Sequence, residues 1–157
     1  MMKPTEDFHA FAALLPASGV LLGMDLGTKT IGLALSDRTR MIASPLETIR
    51  RVKQTADLEQ VKAIVAKFEV TGFVLGLPVN MDGSRGPRAQ ATGSFSRALL
   101  AAQPLPLLLW DERLSTVAAE RALLEADTSR AKRAEAIDKV AAGIILQGAL
   151  DRMRNIR

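Results

Sequence analysis

The feature that most constrains the fold is a pair of short apolar segments separated by three residues. The first is GVLLGMDLG at residues 19–27, and the second is TIGLALS at residues 30–36. Apolar runs of this length between turn-forming residues predict buried strands. The short connection, which includes Gly27, predicts that the two strands form an antiparallel hairpin.

The rest of the chain predicts one more antiparallel strand and then helices and strands in alternation. The third strand spans residues 41–49, and Pro45 within it predicts an edge position in the sheet. Apolar spacing predicts the remaining elements: helix 54–68, strand 72–77, helix 87–102, strand 105–110, helix 114–126 and helix 131–153. This order predicts an α/β fold with a mixed sheet, three antiparallel strands and then two parallel ones, flanked by helices.

The length of the chain and the composition of its N-terminal segment predict its domain organisation and its cellular compartment. A chain of 157 residues corresponds to one domain, which we assign to residues 19–157. Residues 1–18 are predicted to be an N-terminal extension with a short helix at 7–15. Acidic residues near the N-terminus and the lack of a sufficiently long apolar segment argue against a signal peptide and a membrane span, so we expect a cytoplasmic protein.

Composition excludes several classes of active site. The chain has no cysteine and a single histidine, His9, which excludes cysteine-based zinc sites and makes a Ser-His-Asp hydrolase improbable. Any metal would have to be held by carboxylates, which favour Mg²⁺ or Mn²⁺. The formal charge of +4 is compatible with a polyanionic partner but does not require one.

Asp25 is the first acidic residue in an unusual place. Its neighbours in the first predicted strand are apolar, so its carboxylate is expected to be buried. Burial of a charge is costly unless a cation, hydrogen bonds or solvent at a cleft compensates for it. A functional role is favoured, and the alternative is that Asp25 caps the turn at the end of the strand.

Two further acidic positions follow the last strand and lie in the last helix. Asp111 and Glu112 come directly after LPLLLW, where the carboxyl end of a strand faces the ligand crevice of an α/β sheet. Either could instead serve the N-terminus of the next helix, and strand alternation alone does not decide which of them faces the site. Asp138 lies within the apolar stripe of the last helix, which favours a functional role. The alternative is that it has a purely structural role, as a buried aspartate that pairs with an arginine or serves as a cap.

Three carboxylates brought together at one edge of the sheet would form a site for hard metal ions. Paired divalent ions about 3.5–4 Å apart suit phosphodiester hydrolysis. Crowded carboxylates repel one another without the metal, so at least one of them should have a raised pKa.

Four motifs in order resemble the YqgF/RuvX family, over about residues 19–153. They are GMDLGTKTIGLALSD at 23–37, GLPVNMDGSRGPRAQ at 76–90, WDERLST at 110–116 and AIDKVAAGIILQ at 136–147. The family is described both as Holliday junction resolvases and as nucleases that mature the 5′ end of precursor 16S rRNA. The resemblance implies a ribonuclease H-like fold and a catalytic, metal-binding triad of Asp25, Glu112 and Asp138, in which Asp25 would bridge two ions.

The resemblance also gives substrate-binding roles to residues around the triad. Backbone amides of the turn Gly27–Lys29 and the ammonium of Lys29 would lie near a phosphate, although such a turn is equally typical of a plain hairpin. No acidic residue occurs between Gly83 and Trp110, a segment that carries arginines suited to a nucleic-acid backbone or simply to a solvated surface. The predicted substrate-binding residues are Thr28, Lys29, Asn80, Arg85, Arg88 and Arg113. For Arg113 the alternative is an ion pair with Asp111 instead of a contact with phosphate.

Low aromatic content shapes the expected substrate. With 4% aromatic residues and no tyrosine, the chain offers no obvious stacking platform for unpaired bases, which favours structured RNA or DNA. We therefore expect a metal-dependent nuclease acting on precursor rRNA, with a ribosomal precursor particle as a candidate partner. The alternatives are a resolvase of four-way DNA junctions and a non-catalytic rRNA- or ribosome-binding factor, and the chain is a monomer or a homodimer.

Overall fold

Five strands form one mixed sheet in the order β3-β2-β1-β4-β5. The computed structural model describes residues 2–127 and 130–156, and for residues 118, 124–127 and 130–136 it describes the backbone only. The strands are β1 (Val20–Leu26), β2 (Thr30–Ser36), β3 (Ala43–Arg50), β4 (Val70–Leu77) and β5 (Leu107–Asp111). Strands β1, β2 and β3 pair antiparallel, whereas β4 pairs parallel to both β1 and β5. The expected ribonuclease H-like sheet is confirmed, and β3, which contains Pro45, lies at an edge.

In the part of the chain that the structure describes, five α-helices lie around the sheet. They are α1 (Phe8–Leu14), α2 (Gln54–Phe68), α3 (Pro87–Ala102), α4 (Val117–Asp127) and α5 (Arg130–Asn155). The core has two parts, because α2 and α3 pack on one face of the sheet while α1 and α5 pack on the other. Along β1, Leu22 and Met24 point to the first face and Leu21 to the second, as strand alternation requires.

The boundaries of several elements differ from the predicted ones for local reasons. A turn of 3-10 helix, Glu112–Leu114, follows β5, so α4 begins at Val117 rather than at residue 114. Strand β5 begins only after Pro106, whose ring nitrogen has no hydrogen to donate to a neighbouring strand. Strand β4 begins earlier than predicted because Val70 already pairs with Val20 of β1.

The N-terminal extension packs on the sheet. The Thr5 amide donates to the Leu107 carbonyl at 3.0 Å, and the Leu109 amide donates to the Thr5 carbonyl at 2.8 Å, so the segment adds a short bridge along the outer edge of β5. Phe8 and Phe11 of α1 are buried in the same core as α5. In the part of the chain that the structure describes, no helix is both long and apolar enough to cross a bilayer.

Candidate active site

Asp25 lies near the carboxyl end of the central strand β1 and is 2% exposed. Alternation along the strand turns its side chain toward the α5 face. Its register partner on β2 is Gly32. The predicted burial of this carboxylate is therefore confirmed, and the next question is what compensates for its charge.

Glu112, rather than Asp111, faces Asp25. Glu112 begins the 3-10 turn after β5 and is 8% exposed. The carboxylate of Asp111 accepts the backbone amide of Arg113 at 2.9 Å and its guanidinium at 2.7 Å. Asp111 therefore caps the 3-10 turn and holds Arg113, while its neighbour points into the interior.

Arg121 joins the two buried carboxylates. Its Nη2 donates to Oδ1 of Asp25 at 2.6 Å, and its Nη1 donates to Oε1 of Glu112 at 2.8 Å. The sequence analysis missed this residue. A signal was available, since Arg121 follows buried Val117 by four residues and therefore lies on the same face of α4.

Asp138 approaches the pair from α5 because a glycine leaves room for its backbone. A Cβ atom at Gly32 would lie 2.0 Å from the carbonyl oxygen of Asp138, so only glycine fits beneath the helix at this point. The Asp138 carboxylate is half-buried and accepts a hydrogen bond from the hydroxyl of Thr30. Thr30 is a second residue that the sequence analysis did not assign to the site.

The electrostatics confirm that these groups influence one another. Burial raises the pKa of Asp138 to about 6, and the charge of Asp25 adds to the rise. Burial also raises the pKa of Glu112, against the opposing effect of Arg121. For Arg121, burial lowers the pKa, but the charges of Asp25 and Glu112 outweigh it and the net shift is upward.

The predicted turn between β1 and β2 is present, but not all of its backbone amides are free to bind a phosphate. The Gly27 amide donates to the Thr30 carbonyl at 2.8 Å and is therefore not available to a phosphate. Arg51 donates to the Gly27 carbonyl at 2.7 Å, which fixes the turn from outside. Thr28 and Lys29 are exposed at its tip.

Two of the predicted substrate-binding arginines are held by carboxylates. Arg85 makes two hydrogen bonds of 2.7 Å to Glu6 of the N-terminal extension, and Arg113 is held by Asp111. These contacts lower the pKa of Glu6 and of Asp111. Sequence reasoning anticipated the second pair but not the first, because Glu6 is 79 residues away from its partner.

Arg88 differs from the other two arginines. Among the described residues it makes no ion pair, and it is exposed in the first turn of α3. Its positive charge nevertheless lowers the pKa of both Glu112 and Asp138, against the dominant effect of their burial. Arg88 also lines a small cleft with Gly27 and Thr28. Arg88 is therefore a predicted substrate-binding residue that is exposed and whose charge acts on two carboxylates of the site.

Asn80 organises the loop that precedes α3. Its amide and side-chain nitrogen donate to Ser84, at 3.0 and 2.9 Å, and its carbonyl accepts the Gly83 amide at 2.8 Å. Arg113 lies 3.5 Å from the same carbonyl. Asn80 therefore sets the shape of the loop that carries Arg85, and its predicted substrate contact stays a prediction.

The chain is similar to solved structures of Holliday junction resolvases. Thermus thermophilus RuvC in complex with a Holliday junction substrate superposes with a TM-score of 0.52 at 13% identity, covering 85% of this chain and 96% of that one. The yeast mitochondrial Holliday junction resolvase gives 0.51 at 15% identity, covering 95% and 88%. At these identities the comparison establishes the fold alone.

Sequence comparison places the chain more narrowly. Similar relatives carry the name "Putative pre-16S rRNA nuclease", and two of them illustrate the match. That of Rhodobacter capsulatus is 64% identical over 146 residues (93% of this chain, 92% of the relative), and that of Paracoccus denitrificans is 62% identical over 149 residues (95% and 94%). A family model described as "RuvX: Holliday junction resolvase" matches residues 19–152. The chain therefore belongs to the RuvX family.

Proposed function

We propose that this protein is a divalent-metal-dependent endonuclease that hydrolyses phosphodiester bonds of structured nucleic acid, and that it matures the 5′ end of precursor 16S rRNA. The observation that carries the chemistry is the burial of two carboxylates, Asp25 near the carboxyl end of β1 and Glu112 directly after β5, the strands on either side of β4, with Asp138 beside them. The names of the relatives from Rhodobacter capsulatus and Paracoccus denitrificans support the choice of substrate.

The residues of the site fit Mg²⁺ or Mn²⁺. Oε2 of Glu112 is buried without a hydrogen-bond partner in the described part of the chain, as expected for an oxygen that awaits a ligand. All three side chains offer hard oxygen donors. Among the described residues no three acidic groups are already gathered tightly enough to hold an ion. Instead, the guanidinium of Arg121 bridges Asp25 and Glu112.

In the proposed reaction Asp25, Glu112 and Asp138 would hold two ions, and the basic side chains around them would bind the substrate. When bound, the metal supplies Lewis acidity that activates water and offsets charge on the attacked phosphate. Gly76, which borders Glu112, keeps the space beside this carboxylate open, since a Cβ there would lie 2.9 Å from Oε2. Thr30 orients Asp138 by its hydrogen bond.

The proposed substrate surface surrounds the cleft next to the carboxylates. Arg88 is placed to bind a phosphate directly, because its guanidinium is exposed and makes no ion pair in the described chain. Thr28 borders the same cleft from the β1–β2 turn, and Lys29 follows it as an exposed residue of the turn. Such contacts give affinity for a nucleic-acid backbone without reading its sequence.

A second candidate function is the resolution of four-way DNA junctions. It is favoured by the description of the matching family model as a Holliday junction resolvase. Cutting two strands symmetrically requires two active sites, which a homodimer would provide. The two candidates share the same chemistry and differ in substrate and assembly.

One experiment tests the chemistry and separates the substrates. Precursor 16S rRNA and a four-way DNA junction are incubated with wild type, Asp25→Asn and Glu112→Gln, with and without Mg²⁺ or Mn²⁺. We expect wild type to cut the rRNA only with metal, and both variants to reduce cutting to background while retaining the fold. Asp111→Asn is the matched control, because this carboxylate faces Arg113 and should leave cutting largely intact.

The outcomes divide the hypotheses clearly. Cutting of the DNA junction alone would favour the resolvase. Binding without cutting by wild type would favour a non-catalytic processing factor. Equal cutting by wild type and by Asp25→Asn, purified in the same way, would contradict the proposed active site.

A further inference from the structure

The guanidinium of Arg121 lies between the carboxylates of Asp25 and Glu112. One guanidinium nitrogen is 2.6 Å from Asp25 and another is 2.8 Å from Glu112, so the same side chain uses one oxygen of each carboxylate. The side chain is 21% exposed and therefore has a route to solvent. It comes from α4, which packs on α5 and on the 3-10 turn.

We propose that Arg121 is a built-in counter-cation that holds the metal-free site together and must leave Asp25 and Glu112 before a divalent ion can bind both. The inference rests on the proposed function in so far as these two carboxylates are metal ligands. It assigns to Arg121 a positioning role, because the residue acts through the carboxylates.

The charge balance of the site supports this role. Two buried carboxylates repel each other, and their burial is tolerated when a cation neutralises them. The guanidinium does this with planar donors that suit two acceptors at once. A divalent ion would carry twice the charge of Arg121 into the same space, so the two cations compete rather than coexist.

Arg121 does not bind all the carboxylate oxygens of the site, so a metal ion would have ligands that the guanidinium does not use. Oε2 of Glu112 remains buried without a hydrogen-bond partner among the described residues. Asp138 lies outside the pair and makes its hydrogen bond to Thr30 instead. A metal ion can use these oxygens as well as those that Arg121 occupies.

Metal affinity, measured without substrate, tests the proposal. Mn²⁺ is titrated into metal-free wild type, Arg121→Gln and Arg38→Gln by calorimetry, and the rise in Tm on adding Mn²⁺ is recorded for each. Arg121→Gln should bind Mn²⁺ roughly tenfold more tightly or better, because no charged hydrogen bond has to be broken. Arg38→Gln removes the same charge from an exposed ion pair with Glu69 and should match wild type. The double variant Arg121→Gln/Asp25→Asn should lose the gain.

A second measurement uses the wild-type protein and is independent of whether Arg121→Gln folds. Mg²⁺ is added to ¹⁵N-labelled protein, and the guanidinium resonance of Arg121 is followed by NMR. The resonance should shift as the ion displaces the side chain, in proportion to the occupancy of the site.

The outcomes separate this inference from the proposed function. Unchanged or weaker Mn²⁺ binding by folded Arg121→Gln, or an Arg121 resonance that stays unmoved at saturating Mg²⁺, would overturn the role of Arg121 while leaving the nuclease intact. If neither wild type nor Arg121→Gln bound Mn²⁺ or Mg²⁺, the inference would fall together with the proposed metal site.

Discussion

On the face covered by α2 and α3, strand β1 buries Leu22 and Met24 among apolar side chains, whereas on the opposite face it presents Gly23 and Asp25 to α5. The first face is filled by large side chains such as Phe95. The second is shaped by glycines that let a helix approach closely and bring its polar groups to the strand. Both faces bury apolar side chains, but the second face also positions the carboxylates of the site, although the same strands serve both.

The largest expected effect concerns packing on the α2–α3 face. Phe95→Ala removes a side chain that is 2% exposed, and we expect a loss of about 4 kcal/mol in the free energy of unfolding. Urea denaturation followed by circular dichroism measures it. Metal binding by the folded fraction should not change, because Phe95 does not face the carboxylates. A loss below about 1 kcal/mol would show that Phe95 contributes little to the packing of this face.

A substitution on the α5 face should break the close approach of the helix. Gly32→Ala places a Cβ atom against the backbone of Asp138, so α5 must shift, and we expect a loss of about 2–3 kcal/mol with weakened metal binding. Thermal unfolding and Mn²⁺ calorimetry measure the two effects. Gly93→Ala is the control, since its Cβ would meet only the tip of Arg97 within α3. That substitution should be neutral or stabilise by up to about 1 kcal/mol. Equal effects at both glycines would contradict the comparison.

The α5 face should also make stability depend on pH. The pKa of Asp138 is about 6 in the folded protein against an ordinary 3.8, so between these values the folded state holds a proton that the unfolded chain has released. The contribution of Asp138 to the stability of the metal-free protein should therefore fall as pH rises from about 4 to 6. We expect roughly 1 kcal/mol, since Asp138 is only half-buried and solvent screens the effect. Asp138→Asn should flatten this slope in denaturation curves, and an unchanged slope would contradict the assignment.

The smallest effect concerns Arg88, which lies in the first turn of α3 on one face of the sheet, whereas the carboxylates that its charge influences lie on the other face. Arg88→Gln should weaken binding of a structured RNA several-fold. It should also reduce the slope of log affinity against log salt concentration by about one. Arg85→Gln should change less, because Arg85 must first give up Glu6. Fluorescence anisotropy at several salt concentrations measures both. A larger loss for Arg85→Gln would show that its pairing with Glu6 opens easily.

Much of the fold could be predicted because its helices and strands are marked by local sequence patterns, namely apolar spacing and turn-forming residues. The bounds of β2, α2 and α3 agree with their predicted residues, since each is delimited by strong signals such as the proline that begins α3. The hairpin and the parallel strands followed from spacing and from the handedness of crossovers. The element after β5 was less predictable, because a 3-10 turn and a helix share similar apolar spacing.

The sequence by itself determined the order of the elements and the positions of Asp25 and Asp138, because burial periodicity and the high cost of a buried charge are local properties. Only the tertiary structure decided between Asp111 and Glu112 as the carboxylate that faces Asp25. It alone brought Arg121 between two acids that lie 87 positions apart and joined Glu6 to Arg85. Such pairs depend on where distant side chains meet after the sheet has formed, and no spacing along the chain encodes that distance.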